Sequence, residues 1–211
     1  MQIENAEKWV VCGGSSGLGQ AFARLAKAEF PAVDQLLMSR RSSVSIDFSR
    51  TEDWNRVLGL LLEYKPTRFF YFAGGGPHGP FSEKKWTSHE WAFRVNFLFP
   101  AYLLSHLQVP SLRQALFVGS AIADSKPDPL AASYAAAKHG LKGLVTSLQQ
   151  EKSCSFDLRL FSPGYLDTPM LPQHAWPRQT TGLLKSPDEV AASTLSWVQD
   201  VQGANGHFIL G

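Results

Sequence analysis

The stretch Ser133-Tyr134-Ala135-Ala136-Ala137-Lys138-His139-Gly140 holds a tyrosine and a lysine four residues apart. On a helix that spacing puts both side chains on one face, a turn apart. A free phenol titrates near about pH 10 and is a poor proton donor at neutrality. A cation beside it favours the phenolate and moves the phenol toward the working range. The chemistry on offer is proton transfer to or from an oxygen. With five tyrosines in 211 residues, composition alone yields such a pair in roughly one chain in four. The pair therefore needs a fold and partner groups to use it.

The elements that position it alternate. Strand-like runs KWVVCG, QLLMSR, RFFYFAG, QALFVGS, FDLRLFSPG and GHFILG are separated by helical patterns. These are QAFARLAKAEF, TEDWNRVLGLLLEY opened by Thr51, HEWAFRVNFLFPAYLLSHL bent at Pro100, ASYAAAKHGLKGLVTSLQQEK, and SPDEVAASTLSWVQDV capped by Ser186 with Pro187 at its first position. Strands that are apolar nearly throughout, each followed by a helix, predict an α/β fold. Its sheet is doubly wound and mostly parallel, with helices on both faces. Residues 1–211 read as a single domain without repeats or linkers.

Gly13, Gly14, Gly17 and Gly19 lie between the first strand and the first helix. Glycines there permit positive φ and close approach of a phosphate to the backbone, and the helix N-terminus adds free N–H groups. A glycine loop in that strand–helix context predicts dinucleotide binding. The loop lacks the lysine of an NTPase phosphate loop, and no Gly-x-Ser-x-Gly elbow occurs.

Cys12-Gly13-Gly14-Ser15-Ser16-Gly17-Leu18-Gly19 resembles the Thr-Gly-x-x-x-Gly-x-Gly loop of the short-chain dehydrogenase/reductase family, with Cys12 in place of the threonine. The resemblance extends over nearly the whole chain. Tyr71-Phe72-Ala73-Gly74 stands at the family's Asn-Asn-Ala-Gly segment, so the sheet lacks the brace its first asparagine provides. Asn96, Ser120 and Pro163-Gly164-Tyr165-Leu166-Asp167-Thr168 occupy further family positions. The resemblance implies a seven-stranded Rossmann-type sheet and reversible hydride transfer between a nicotinamide and a carbonyl or secondary alcohol. It also implies roles: Tyr134 donates the proton, Lys138 lowers its pKa and binds the nicotinamide ribose, Ser120 holds the substrate oxygen, and Asn96 holds a water. Ser120 precedes Tyr134 by fourteen positions, one more than in many members. Ser125 is an alternative, whereas Ser133 points elsewhere on the helix.

Cofactor contacts are expected from Gly13, Ser15, Ser16, Gly17, Leu18, Gly19, Ala73, Gly74, Gly75, Tyr134, Lys138, Pro163, Gly164, Leu166 and Thr168. At the end of the second strand, Ser39, Arg40 and Arg41 stand where an acidic residue selects NAD. An arginine there forks onto a 2′-phosphate, which predicts NADP(H) over NAD(H). Asp47 and Phe48 stand where the family contacts the adenine.

Residues 165–185 carry three prolines and form a long connection that reads as a substrate lid. Its Met170, Leu171, His174 and Trp176 face a second wall formed by Pro77, His78 and Phe81, a lining suited to a small, modestly hydrophobic carbonyl compound.

Composition agrees with these readings. Hydrophobic residues make up 44% and the formal charge is +2, so nothing calls for nucleic acid or an anionic membrane. The two cysteines do not form a disulfide framework, and Cys12 reads as a buried thiol. The six histidines show no metal spacing. No signal peptide or membrane span is read, and a cytoplasmic protein is expected. A homodimer or homotetramer is expected by resemblance. From another class, a non-catalytic NADP(H)-binding redox sensor or scaffold fits the same fold.

Overall fold

The computed structural model describes residues 7–124, 128–152 and 154–210, so Ser125 lies outside the described residues. Seven strands form one sheet: β1 Lys8–Cys12, β2 Asp34–Ser39, β3 Val44–Ser45, β4 Arg68–Tyr71, β5 Gln114–Val118, β6 Asp157–Pro163 and β7 His207–Leu210. Their order is β3-β2-β1-β4-β5-β6-β7. Every neighbouring pair is parallel. The chain reverses its winding direction between β1 and β4, and ligands of such sheets bind outside the carboxyl ends at that point.

The helices are α1 Gly17–Glu29, α2 Thr51–Tyr64, α3 Trp86–Phe93, α4 Phe99–His106, α5 Ala132–Glu151, α6 Trp176–Gln179 and α7 Pro187–Gln199. Alternation along the strands divides the core. Val10 and Cys12 of β1 join Leu61, Phe99, Leu103 and Val145 on one side. Trp9 and Val11 join Phe22, Ala26, Val190 and Leu195 on the other. A strand covered on both faces must be apolar at every position, which is why the β1 sequence shows no polar alternation.

Three local readings change. Arg50, not Thr51, precedes α2, and it makes no side-chain cap. The expected bend at Pro100 is a π-helical turn, Arg94–Leu98, between α3 and α4. Proline has no N–H for the carbonyl four residues back, which belongs to Asn96, and the turn widens just before it. The lid is not structureless: it contains α6, and its ends are tied where Leu166 bridges Lys185. Ser186 does cap α7, accepting from the Glu189 N–H at 3.1 Å.

Candidate active site

Tyr134 and Lys138 sit in the first two turns of α5, which packs against β6 and the 3-10 turn after β5. Lys138 is 3% exposed. Its ammonium donates to the Val118 carbonyl at 2.7 Å and lies 5.6 Å from the Tyr134 ring centroid. Ser120 follows β5 by one residue and opens a short 3-10 turn, accepting from the Ile122 N–H at 3.3 Å. The Ser120 hydroxyl also stands close enough to the Tyr134 phenol to lower its pKa. The extra residue between them is absorbed by the intervening loop without separating the pair. Ser133 turns away, its hydroxyl 2.6 Å from Nδ1 of His89.

The electrostatics differ from the expectation. Burial pushes the Tyr134 phenol up, and the Ser120 hydroxyl opposes that shift. Burial pushes Lys138 from 10.5 down to about 7. Desolvation disfavours whichever form is charged, so it moves the two groups toward neutrality from opposite sides. The lysine is only partly protonated at neutral pH, and its charge does not outweigh the burial of the phenol.

Asn96 lies in the π-helical turn and is fully buried. Its amide donates to the carbonyls of Gly75 and Ala92, both at 2.6 Å, and its oxygen accepts from the Gly75 N–H at 3.2 Å. These bonds pin Gly75, in the loop after β4, over the site. Gly74 is held there too: a Cβ would stand 2.8 Å from the Asn96 amide oxygen and 3.5 Å from the Lys138 ammonium.

The brace left open by the missing asparagine comes from Tyr71, whose buried phenol donates to the Val95 carbonyl at 2.7 Å. This bond ties β4 to the π-helical turn. Sequence reasoning missed it, although the polar tip on an otherwise apolar strand was the available signal. Also missed was Asp128, a buried carboxylate that accepts from Trp176 Nε1 at 2.6 Å and from the Tyr165 hydroxyl. Tyr165 is pushed up to about 12 by burial, then by Asp128, with a contribution from Tyr134. Asp128 thereby fastens Tyr165 and Trp176 beside Tyr134.

The glycine loop abuts this site. Gly13 has φ +82°, and a Cβ there would lie 2.6 Å from the Ala73 nitrogen, a contact with backbone that cannot yield. Gly17 has φ +54° and packs against Thr168 of the lid. Ser16 precedes α1 without a side-chain cap, leaving the first amides of that helix to an outside acceptor. These amides and the close loop approach fit a dinucleotide pyrophosphate.

Other expected contacts are altered by packing. The side chains of Leu18 and Phe48 are in the core, with Phe48 against Tyr71 and Phe99. The Asp47 carboxylate is occupied by the hydroxyl and N–H of Ser49 at 2.7 and 3.0 Å. The Ser39 hydroxyl pairs with Ser42 at 2.7 Å and accepts from the Arg41 N–H at 3.1 Å. Arg40 and Arg41 are exposed, and neither is ion-paired among the described residues. Among the described residues no three His, Cys, Asp or Glu gather as a metal site, and no helix is long and apolar enough to cross a membrane.

The architecture is that of the short-chain dehydrogenases/reductases. One similar solved structure is BdcA in complex with NADPH, with 19% identity, 97% of this chain and 92% of that chain covered, and a TM-score of 0.82. A short-chain dehydrogenase family protein from Francisella tularensis subsp. tularensis SCHU S4 has 16% identity, 96% of each chain covered and a TM-score of 0.82. An alcohol dehydrogenase from Thermococcus sibiricus complexed with 5-hydroxy-NADP has 20% identity, 97% and 95% coverage and a TM-score of 0.80. No protein-family model and no curated protein matches the sequence.

Proposed function

We propose that the protein is an NADP(H)-dependent oxidoreductase of the short-chain dehydrogenase/reductase family that interconverts a small carbonyl compound and its alcohol. The observation that carries this reading is the Ser120 hydroxyl and the Tyr134 phenol set together with buried Lys138 one turn below, beside the glycine loop. The α1 amides and the loops Gly13–Gly17, Ala73–Gly75 and Pro163–Thr168 would hold the dinucleotide. A bound nicotinamide supplies or accepts the hydride.

The chain's own residues handle the oxygen and its proton. The Ser120 hydroxyl positions the substrate oxygen and stabilises negative charge developing on it. Tyr134 gives that oxygen its proton in reduction and takes it back in oxidation. Lys138 gains or loses its own proton near neutrality, and its charged form favours the Tyr134 phenolate. Asn96 keeps the Gly75 backbone fixed over the pair. Arg40 and Arg41, unpaired at the end of β2, support a 2′-phosphate site.

The test follows NADPH consumption across aldehydes and ketones, with NADH and Tyr134→Phe in parallel. The expected result is NADPH-preferring turnover that falls about 10²–10⁴-fold in the variant while NADPH affinity holds. Near-normal turnover in Tyr134→Phe removes the proton donor. Tight NADPH binding with no turnover of any compound favours the non-catalytic sensor, a reading that the engaged Asn96 amide also suits.

A further inference from the structure

The loop after β4 and the lid after β6 meet at two points over the catalytic pair. A Cβ on Gly75 would lie 2.7 Å from the Trp91 ring and 3.7 Å from Sδ of Met170. Farther along both segments, the rings of His78 and His174 face each other with centroids 5.7 Å apart and planes at 66°. The loop passes close to the proton donor on its way. A Cβ on Gly76 would lie 2.8 Å from that of Tyr134, and the Gly79 N–H donates to the Leu130 carbonyl at 2.8 Å. His78 stands between these two anchors.

Both ring nitrogens of His78 are sealed from solvent and have no hydrogen-bond partner among the described residues. Buried polar atoms are almost always satisfied, and an exception calls for a missing partner or a functional role. The neighbouring Gly79 is overlaid by the Lys84 side chain, whose ammonium makes no ion pair among the described residues. Two carboxylates around the lid are engaged elsewhere, Asp128 by Trp176 and Asp167 by Arg178 at 2.6 Å, whereas Glu83 beside Lys84 makes no ion pair among the described residues. The imidazole pair and the ammonium make a set of donors complementary to an acid.

We propose that the substrate is a carbonyl compound bearing a carboxylate. Its carbonyl lies at Ser120 and Tyr134, and its carboxylate is received by His78 opposite His174 and near Lys84. This rests on the oxidoreductase reading above. The apolar stretch between the two ends is bounded by Trp91 and Met170.

Two measurements separate the two ideas. The first compares kcat/KM for 4-formylbenzoate and its methyl ester, and for 4-oxopentanoate and its methyl ester. At least one acid is expected to exceed its ester by about tenfold or more, mainly through KM, as for a charge-assisted hydrogen bond. In His78→Phe the acid-to-ester ratio of kcat/KM should approach one, and His78→Gln, which keeps an N–H donor, should recover part of it. The second titrates 4-methylbenzoate and 4-methylbenzamide against the intact protein while reading histidine side-chain NMR signals. A saturable shift of the His78 signals with the acid only is expected. Esters turned over as well as both acids, or no acid-specific shift at His78, overturns the proposal. An acid-specific shift without turnover of any carbonyl supports the acid site and counts against the oxidoreductase reading instead.

Discussion

Replacing Lys138 with methionine should make the protein more stable at neutral pH while removing its activity. Lys138 is 3% exposed and burial lowers its pKa from 10.5 to about 7. The unfolded chain keeps the ordinary lysine value, so between these two pH values it binds about one more proton than the native chain. Stability then rises with pH, by about 1.4 kcal/mol per unit at most. The cost of the buried ammonium is fully present below the native pKa and fades as pH climbs toward the ordinary value. Its ceiling is about 5 kcal/mol, reduced by about 1 kcal/mol for the lost bond to the Val118 carbonyl. The assay is urea unfolding of both proteins across about pH 6 to about pH 9. Groups common to the two chains cancel in the difference, and equal slopes against urea certify a like-for-like comparison. From about pH 7 to about pH 9 the wild type should gain about 2 kcal/mol on the variant. Parallel stability curves would refute the reasoning, because Lys138 would then keep its proton in the native state as it does in water.

Two further outcomes follow from single contacts. Tyr71→Phe removes the donor to the buried Val95 carbonyl and should cost about 1–2 kcal/mol in urea unfolding; an unchanged midpoint and slope would mean that this bond does not brace β4. Arg40→Asp should weaken NADPH by about 10–100-fold and leave NADH within a few-fold, measured by direct titration of each. An unchanged ratio would take Arg40 out of the phosphate site.

The order of elements was legible because burial on both faces makes strands uniformly apolar, and those runs stand out between helical patterns. β3 was not among the runs read directly, since Val44–Ser45 is two residues long and carries no periodic signal. Pro100 marked the right place for an irregular helix, but a missing N–H does not say whether the chain kinks or widens. The gathering of Ser120, Tyr134 and Lys138 was legible for a topological reason. Ser120 lies just past the end of β5, Tyr134 and Lys138 lie in the first two turns of α5, and the Lys138 bond to the Val118 carbonyl ties that strand end to the helix start. The Tyr71 brace joins residues with no local pattern between them, so only the folded chain reveals it.

The least legible property was the charge state, and it changes how the site must work. From sequence, a lysine beside a tyrosine reads as a cation stabilising a phenolate. The folded chain buries the amine and half-buries the phenol, raising the phenol and lowering the amine, so each alone prefers its neutral form. The charged pair, phenolate with ammonium, gains mutual attraction that neither charge has when formed alone. Protonation of Lys138 and deprotonation of Tyr134 therefore favour one another, and a proton leaving the phenol for the substrate is matched by one held on the amine. A lysine kept fully charged by solvent would exert a weaker, screened field on the phenol. Burial of Lys138 is costly to the fold, and in exchange the site holds a charge whose appearance can follow the chemistry.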